Sequence, residues 1–269
     1  MEISKKLENL KSILTQLGSV AIAYSGGVDS NFLLKVAKDT LGDNVIAVTI
    51  HALMHSSVEI EEAKEFANNF GVKHVVVEIQ DFNVEKFLEN GPKRCYFCKK
   101  EVFTKVKEIA KKNNIEYILD GTNLDDLGDY RPGLKALEEL SILSPLKECN
   151  LTKNEIRILS KEMNLSTYNK PAFACLATRI PYGTRINNDI LRMIEKGEKY
   201  LLELGFSQFR VRHHNDIARI EVEKSEIHKF FSNDILEKTD NKFKAIGFKY
   251  TTLDMNGYTT GSMNKVLDK

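Results

Sequence analysis

The sequence lacks an excess of charge of either sign, and this limits what it is expected to bind. Its 269 residues include 39 lysines and arginines and 38 aspartates and glutamates, for a formal net charge of +1. Non-specific binding to nucleic acid depends on a basic field over the protein surface. The balanced charge therefore disfavours nucleic acid as a partner and favours a small-molecule substrate.

Apolar runs of the length that a membrane requires are also missing. No stretch approaches the ~20 apolar residues of a membrane-spanning helix. The first 18 residues mix apolar and charged side chains at helical spacing, without the apolar core of a signal peptide. Only four cysteines are present, and without a secretory signal they indicate a reducing compartment. We expect a cytoplasmic protein with no membrane partner.

Short β-branched segments alternate with stretches of helical length in the first part of the chain. The predicted strands are residues 19–25, 44–52, 73–79 and 115–122. This alternation predicts an α/β fold with a doubly wound parallel sheet, which we assign to residues 1–165. Ligands of such sheets bind at the carboxyl ends of the strands, and here those ends are polar or rich in glycine.

The pattern changes after about residue 165. The predicted elements are a helix, two alternating strands, a long helix and a last strand, at 187–205, 209–214, 217–223, 225–246 and 248–255. They indicate a smaller α+β domain over residues 166–269. We expect this domain to include the loop around Cys175 and to contribute to substrate binding. Self-association through it is compatible with the sequence, which does not determine the oligomeric state.

The segment AYSGGVDSNFLL follows the first predicted strand and opens a helix. Its two glycines allow backbone N–H groups to turn towards an anion, its serines add hydroxyl donors, and the helix N-terminus adds a positive dipole. We predict a phosphate site formed by Ser25, Gly26, Gly27, Asp29 and Ser30. No Gly-Lys-Ser/Thr follows, so the loop is not a Walker motif.

A second polar segment, DGTNLDDLGDYRPG, follows the fourth predicted strand. Acidic groups beside a triphosphate suit the oxygen ligation of Mg²⁺, and an arginine can hold a phosphate or carboxylate with two hydrogen bonds. We predict that Gly121, Thr122, Asp125 and Arg131 complete the nucleotide site. Helix capping and a solvated acidic turn are the alternative interpretation.

The six-residue motif S-G-G-V-D-S resembles the PP-loop of the ATP pyrophosphatase superfamily, whose fold is of the adenine nucleotide alpha hydrolase type. The resemblance implies that ATP is split between its α- and β-phosphates. It also implies that AMP is placed on a substrate oxygen, from which a nucleophile displaces it. Mg²⁺ is implied as well, with Asp29 close to the metal-bound pyrophosphate, and adenine is expected against backbone groups near Ile50.

The segment KRCYFCKKEV carries Cys95 and Cys98 as a C-x-x-C pair. Such a pair is typical of half a zinc site, a redox dithiol or part of an iron–sulfur site. A zinc site needs a fourth ligand, for which Cys149, His51 and His55 are available. Thiols one helical turn apart also share a face and can simply be buried. The residues themselves leave these alternatives open.

Three segments resemble the LarE family, ATP-dependent sulfur transferases of nickel-pincer nucleotide biosynthesis, and the resemblance covers nearly the whole chain. They are GTNLDDLGDYRPG, KPAFACLATRIPYGTRI and YTTLDMNGYTTGSMN. The resemblance implies adenylation of a carboxylate of pyridinium-3,5-biscarboxylic acid mononucleotide. Sulfur then displaces AMP to give a thiocarboxylate.

The same resemblance implies a role for Cys175 as a catalytic residue. In one branch of the family the matching cysteine gives up its own sulfur. In another, three cysteines hold a [4Fe–4S] cluster whose remaining iron carries an extra sulfide. Cys95 and Cys98 together with Cys175 favour the cluster branch, because a sacrificial cysteine does not need the pair. Neither the source of the sulfur nor a separate sulfur donor is determined by the sequence.

Four arginines are predicted to bind the substrate. Arg179 and Arg185 lie in the Cys175 segment, while Arg210 and Arg212 are two residues apart on a predicted strand and therefore face the same side. We expect them to hold the phosphate and the second carboxylate of the pyridinium mononucleotide. Solvated arginines on a strand face are the alternative.

Three other functions remain open at this stage. A tRNA thiolation enzyme also combines this loop with cysteines, but the balanced charge and the lack of a recognisable RNA-binding module argue against it. An ammonia-dependent amide synthetase of the same superfamily would work without the cysteines. A nucleotide-sensing or metal-storage protein would bind ATP without splitting it, and so would release no pyrophosphate.

Overall fold

The computed structural model describes residues 2–52, 54–79, 82–128, 132–170, 175–232, 234–259 and 261–263. The chain divides into two compact units. The first contains Met1–Val84 and Cys95–Phe173, and the second contains Glu85–Arg94 and Ala174–Lys269. No helix in the described part of the chain is both long enough and apolar enough to span a membrane.

The first unit is built on a four-stranded parallel sheet in the order β3-β2-β1-β4. The strands are β1 Val20–Ala23, β2 Val45–Ala52, β3 Lys73–Ile79 and β4 Tyr117–Leu119. All four lie within the predicted segments, and the α/β fold class is confirmed. β4 is the shortest, since Asp120 and Gly121 leave the sheet to form the loop that follows.

Helices cover both faces of this sheet. They are α1 Ile3–Leu17, α2 Val28–Leu41, α3 Ser57–Asn69, α5 Arg94–Lys112, α6 Gly133–Glu139, α7 Pro145–Glu148 and α8 Lys153–Glu162, while α4 Glu85–Leu88 belongs to the second unit. One core cluster joins the strands to α1, α2 and α8, through residues such as Leu14, Phe32 and Ile156. The other joins them to α5 and α6 through Phe103 and Leu137. Helices on both faces bury most of β1, β2 and β4, as their apolar residues require, whereas the edge strand β3 is only half-buried.

The second unit contains a three-stranded sheet in the order β5-β6-β7. β5 Phe209–His214 and β6 Ile217–Val222 form the predicted hairpin, and β7 Tyr250–Leu253 runs parallel to β6. Helix α9, Asn188–Glu203, packs on β5. The sequence predicts the smaller α+β region and its strands, and the structure adds that the sheet is mixed.

The prediction of one long helix at 225–246 is wrong. The segment forms a 3₁₀ helix, Lys224–Phe231, and then α10, Ile235–Ile246. Asp234, directly before α10, has a φ of +56°, a left-handed conformation that a right-handed helix cannot pass through. Apolar spacing alone did not reveal this break.

The extents of the two units differ from the single boundary expected near residue 165. Residues 85–94 join the second unit because the buried side-chain amide of Asn90 donates hydrogen bonds to the carbonyl oxygens of Pro181 (2.8 Å) and Thr184 (2.9 Å). The backbone N–H of Ile186 also donates to the carbonyl of Leu88. A division into functionally separate domains stays a prediction.

Candidate nucleotide and sulfur-transfer site

The phosphate loop lies between the end of β1 and the start of α2. Gly27 is the N-cap residue of α2, and Gly26 has a φ of +70°. A Cβ on Gly26 would lie 2.8 Å from the Cβ of Ala63 in α3, which is closer than two carbon atoms can approach. Glycine is therefore required at position 26 both by backbone conformation and by packing.

Side chains beneath the loop hold it in this shape. The fully buried Asn31 donates from its amide to the carbonyl oxygen of Gly26 at 2.9 Å and accepts a hydrogen bond from the hydroxyl of Tyr24. Thr49 on β2 donates to the carbonyl oxygen of Tyr24 at 2.6 Å. Burial raises the pKa of Tyr24 well above its ordinary value, so the phenol stays protonated and donates. Sequence reasoning missed both Tyr24 and Asn31. The one available signal was an asparagine directly before the apolar residues Phe-Leu-Leu of the predicted helix.

The predicted phosphate ligands lie together. The hydroxyl oxygens of Ser25 and Ser30 are 3.2 Å apart, and the N–H of Gly27 donates to the Ser25 hydroxyl at 3.4 Å. A Cβ on Gly121 would lie 3.2 Å from the backbone nitrogen of Ser30 and 3.4 Å from the Cβ of Asp29. The loop after β4 therefore approaches the phosphate loop as closely as glycine allows, which brings two of the predicted segments into one site.

Asp29 is the charged group of the loop, and Lys153 holds it. The ammonium of Lys153, the first residue of α8, donates to Oδ2 of Asp29 at 2.5 Å. The other oxygen, Oδ1, is buried and has no hydrogen bond of good geometry from the described residues, although the Asn123 side chain lies near enough to Asp29 to lower its pKa. Burial raises the pKa of Asp29, while the charge of Lys153 opposes that rise. A buried carboxylate oxygen without a donor is a suitable ligand for a hard cation such as Mg²⁺.

The other predicted nucleotide residues have different surroundings. The Asp125 carboxylate accepts a hydrogen bond from the backbone N–H of Lys153 at 2.8 Å, and thus caps α8. The Thr122 hydroxyl donates to Oδ2 of Asp120 at 2.5 Å. Ile50 is buried within β2 and aligned with Val77 of β3. Arg131 lies outside the described residues.

Lys170 is a second cation at the loop that the sequence did not single out. Its ammonium donates to the carbonyl oxygen of Gly26 at 3.1 Å and to the Glu62 carboxylate of α3 at 2.6 Å. It therefore joins the phosphate loop to α3 through Glu62. A lysine in a loop gives no local signal of this contact, which spans 144 residues.

The two thiols of the C-x-x-C pair are one turn apart on α5, in the first unit. Cys95 is exposed and Cys98 is half-buried. Exposure of Cys95 does not support the alternative in which both thiols are buried. Gly133 of α6 lies against this turn, since a Cβ there would be 2.7 Å from Cδ of Lys99 and 3.4 Å from the carbonyl oxygen of Cys95.

Cys175 belongs to the second unit, where it is half-buried and precedes a 3₁₀ helix, Leu176–Arg179. Its carbonyl oxygen accepts hydrogen bonds from the Thr178 hydroxyl at 2.8 Å and from the Arg179 guanidinium at 3.1 Å. These bonds orient the backbone that carries the thiol. Within the described parts of the chain, no three His, Cys, Asp or Glu side chains form a group suited to a metal ion.

Three of the four predicted substrate arginines are buried in the second unit. Arg179 makes a two-point ion pair with Glu198 of α9, at 2.8 and 2.9 Å. Arg212 pairs with Glu221 at 2.7 Å, and Arg210 lies over the ring of Tyr258. Burial lowers the pKa of Arg210, and the nearby positive charges of Arg179 and Arg212 lower it further.

The three buried arginines lie close enough for their charges to interact, but Glu198 of α9 and Glu221 of β6 already accept hydrogen bonds from Arg179 and Arg212. Sequence reasoning missed Glu198, because it lies on the buried face of α9 among positions that are otherwise apolar or glycine. Arg185 is different, since it makes an exposed ion pair with Glu85 at 2.6 Å. Binding of the substrate by these four arginines stays a prediction.

Comparisons with known proteins agree with this arrangement. The family model of the Arginosuccinate synthase N-terminal HUP domain matches residues 19–166, which include the phosphate loop and the whole parallel sheet. The pyridinium-3,5-bisthiocarboxylic acid mononucleotide synthase of Lactiplantibacillus plantarum is 36% identical over 268 residues, 99% of this chain and 96% of its own.

Two further relatives show how far this similarity extends. An uncharacterized protein of Synechocystis sp. is 39% identical over 267 residues, 99% of this chain and all of its own. The argininosuccinate synthase of Pyrococcus furiosus is 31% identical over 150 residues, 50% of this chain and 36% of its own. Full-length similarity thus distinguishes the first two relatives from one that shares only part of the chain. The chain belongs to the LarE family of ATP-dependent sulfurtransferases, within the PP-loop ATP pyrophosphatase superfamily.

Proposed function

We propose that this enzyme activates a carboxylate of pyridinium-3,5-biscarboxylic acid mononucleotide with ATP and replaces the AMP by sulfur. The observation that carries the proposal is a fully built phosphate loop in a chain that is similar over its whole length to a pyridinium-3,5-bisthiocarboxylic acid mononucleotide synthase. The loop supports the use of ATP, and the relative's product supports the identity of the acceptor.

The first step is nucleotidyl transfer. A carboxylate oxygen of the substrate attacks the α-phosphorus, the bond between that phosphorus and the bridging oxygen breaks, and pyrophosphate leaves. The hydroxyls of Ser25 and Ser30, the loop N–H groups and the start of α2 are suited to receive the negative charge of the leaving group. Preorganised donors of this kind act without reorganising during the reaction.

Asp29 is proposed to hold Mg²⁺ at this step. Its Oδ1 atom is buried, and no described residue donates to it with good geometry, Asn123 being the nearby amide. One or two carboxylates together with substrate phosphates are the usual ligand set of Mg²⁺. When bound, Mg²⁺ neutralises charge on the phosphates and lowers the barrier to departure of pyrophosphate. The residues of the loop therefore fit the metal that ATP requires.

In the second step sulfur attacks the acyl carbon, the bond from that carbon to the AMP oxygen breaks, and a thiocarboxylate and AMP are formed. We propose Cys95, Cys98 and Cys175 as the sulfur-delivery residues, with a [4Fe–4S] cluster held by the three thiolates. Three thiolates would leave one iron of such a cluster without a protein ligand, and an additional sulfide taken up there from outside would be the nucleophile. The exposure of Cys95, which leaves its thiol accessible, supports the proposal.

Adenylation is tested by measuring pyrophosphate and AMP from Mg·ATP and the pyridinium dicarboxylate. Asp29→Asn should abolish both products, whereas Asp39→Asn, which changes an exposed aspartate of the same helix, should leave them unchanged. Pyrophosphate release that needs ammonia and survives loss of all three cysteines would instead indicate an amide synthetase. Tight, salt-sensitive binding of bulk tRNA would indicate a tRNA thiolation enzyme.

The sulfur source is tested by the iron and acid-labile sulfide content of anaerobically purified protein. About four irons per chain, lost on Cys95→Ala, Cys98→Ala and Cys175→Ala but retained in Cys149→Ala, would support the cluster. Cys149 is the matched control because it is buried in the core of the first unit. Absence of iron after reconstitution, with one thiocarboxylate formed per chain, would refute the cluster and indicate that Cys175 gives up its own sulfur.

A further inference from the structure

The phosphate loop has no lysine of its own, and another element provides one. The donors of the loop itself are backbone N–H groups and the hydroxyls of Ser25 and Ser30, all of them neutral. The ammonium of Lys153 comes from α8 and contacts the loop at Asp29, 124 residues away in sequence. A triphosphate brings several negative charges next to the Asp29 carboxylate, and repulsion between them disfavours binding unless a cation lies nearby.

The backbone of Lys153 is held firmly. Its N–H donates to the Asp125 carboxylate at 2.8 Å. Thr152 and Glu155 form a capping box around the start of α8, and Lys6 fixes Glu155 by an ion pair of 2.7 Å. These contacts anchor the first turn of the helix, so the Lys153 side chain extends to the loop from a rigid base.

The Lys153 side chain itself can move. It is 31% exposed, and an ammonium on a flexible four-carbon stem can change partners by rotation about its side-chain bonds alone. Lys170 is less suited to such a change, since its side chain is only 11% exposed and its ammonium already contacts the Gly26 carbonyl and Glu62. Of these two cations at the loop, Lys153 is the one that can exchange partners.

We infer that Lys153 binds the β- and γ-phosphates of ATP and is the cation that stabilises the departing pyrophosphate. In the nucleotide-free protein its ammonium is held by Oδ2 of Asp29. When Mg·ATP binds, the Asp29 carboxylate turns to the metal and the ammonium moves to the phosphate oxygens, which become more negative as the bond to the α-phosphorus breaks. This inference rests on the proposed use of ATP and adds a substrate-contacting residue to it.

The test is a calorimetric comparison of Mg·ATP, Mg·pyrophosphate and AMP binding to the full chain. Lys153→Met should weaken Mg·ATP and Mg·pyrophosphate about tenfold or more, because a hydrogen bond to a charged group is lost. AMP, which lacks the β- and γ-phosphates, should bind within about twofold of wild type. Lys153→Arg should restore most of the affinity, since it keeps the charge.

Lys35→Met is the matched control. Lys35 of α2 forms an ion pair with Asp39 at 2.5 Å, the same distance as between Lys153 and Asp29. The Lys35 side chain is 29% exposed, close to the 31% of Lys153. It should leave the affinity for all three ligands unchanged. If Lys153→Met does not fold because Asp29 is left unpaired, the double variant Asp29→Asn/Lys153→Met is compared with Asp29→Asn, and the loss specific to pyrophosphate should persist.

Two results would overturn the inference. One is unchanged binding of Mg·pyrophosphate by Lys153→Met, and the other is an equal loss for AMP, which would mean that the loop as a whole was damaged. These results are distinct from failure of the proposed function. If wild type binds Mg·ATP with the expected dependence on Lys153 but releases no pyrophosphate with the pyridinium substrate, the function fails and the role of Lys153 stands.

Discussion

Replacing Gly26 with alanine should destabilise the first unit and weaken nucleotide binding together. Gly26 has a φ of +70°, and a Cβ added there would lie 2.8 Å from the Cβ of Ala63 and 3.2 Å from its Cα. The left-handed conformation costs a non-glycine residue about 1–2 kcal/mol. Forcing an extra methyl group into a packed site costs about 1–3 kcal/mol more. We therefore expect a loss of about 2–5 kcal/mol in the free energy of unfolding.

Gly71 offers a matched control in the same unit. It has a φ of +61°, but an added Cβ would meet no atom within 4 Å. Gly71→Ala should therefore cost only the conformational term of about 1–2 kcal/mol. The difference between the two variants isolates the contact between the loop and α3. Urea unfolding followed by circular dichroism measures both free energies, and calorimetry with Mg·ATP measures the effect on the loop.

A double variant separates the contact from the backbone term. Ala63→Gly alone should cost about 1 kcal/mol, since glycine is unfavourable inside a helix. Combined with Gly26→Ala it removes the contact between the two Cβ atoms, so the double variant should be more stable than the sum of the single changes predicts. The reasoning is refuted if Gly26→Ala costs no more than Gly71→Ala, or if the two changes at Gly26 and Ala63 are simply additive.

Three further changes test other parts of the molecule. Arg179→Met should lower the free energy of unfolding by about 3–5 kcal/mol, because it leaves Glu198 buried without its partner. Urea unfolding should show that Arg179→Met/Glu198→Gln recovers part of this loss. An equal loss in the single and double variants would contradict the prediction. Burial raises the pKa of Cys149 to about 11. Iodoacetamide at pH 8 should therefore alkylate the exposed Cys95 well before Cys149, as followed by mass spectrometry. Equal rates of alkylation would contradict the raised pKa of Cys149. Burial lowers the pKa of His55 to about 4. The unfolded chain therefore binds more protons than the folded one between about pH 6.5 and 4, and the free energy of unfolding should fall as the pH drops through that range. His55→Gln should reduce the slope of urea midpoints against pH, and an unchanged slope would refute the assignment.

The phosphate loop could be predicted from the sequence because its chemistry is local. Two consecutive glycines between a β-branched run and a helical pattern specify a turn in which backbone N–H groups are available, whatever surrounds it. The strands were predictable for the same reason, since β1 to β4 all fall within the predicted segments. The break before α10 was not, because apolar spacing continues through Asp234 even though its backbone is left-handed.

The charged partners of the site could not be predicted in this way. Residue spacing placed Arg210 and Arg212 on one strand face. It could not show that Arg212 forms an ion pair with Glu221, or that Arg179 forms one with Glu198 of α9. The spacing of residues within one strand or helix does not specify which other element will pack against it.

The sequence by itself determined the family, the parallel sheet, the glycine-containing loop predicted to bind phosphate, and the C-x-x-C pair, because each depends on residue type and short-range spacing. Only the tertiary structure decided which groups surround the loop: Asn31 under Gly26, and Lys153 against Asp29. The physical reason is that hydrogen bonds and ion pairs act over about 3 Å in space, and folding brings the start of α8 to the first turn of α2 across more than a hundred residues of chain.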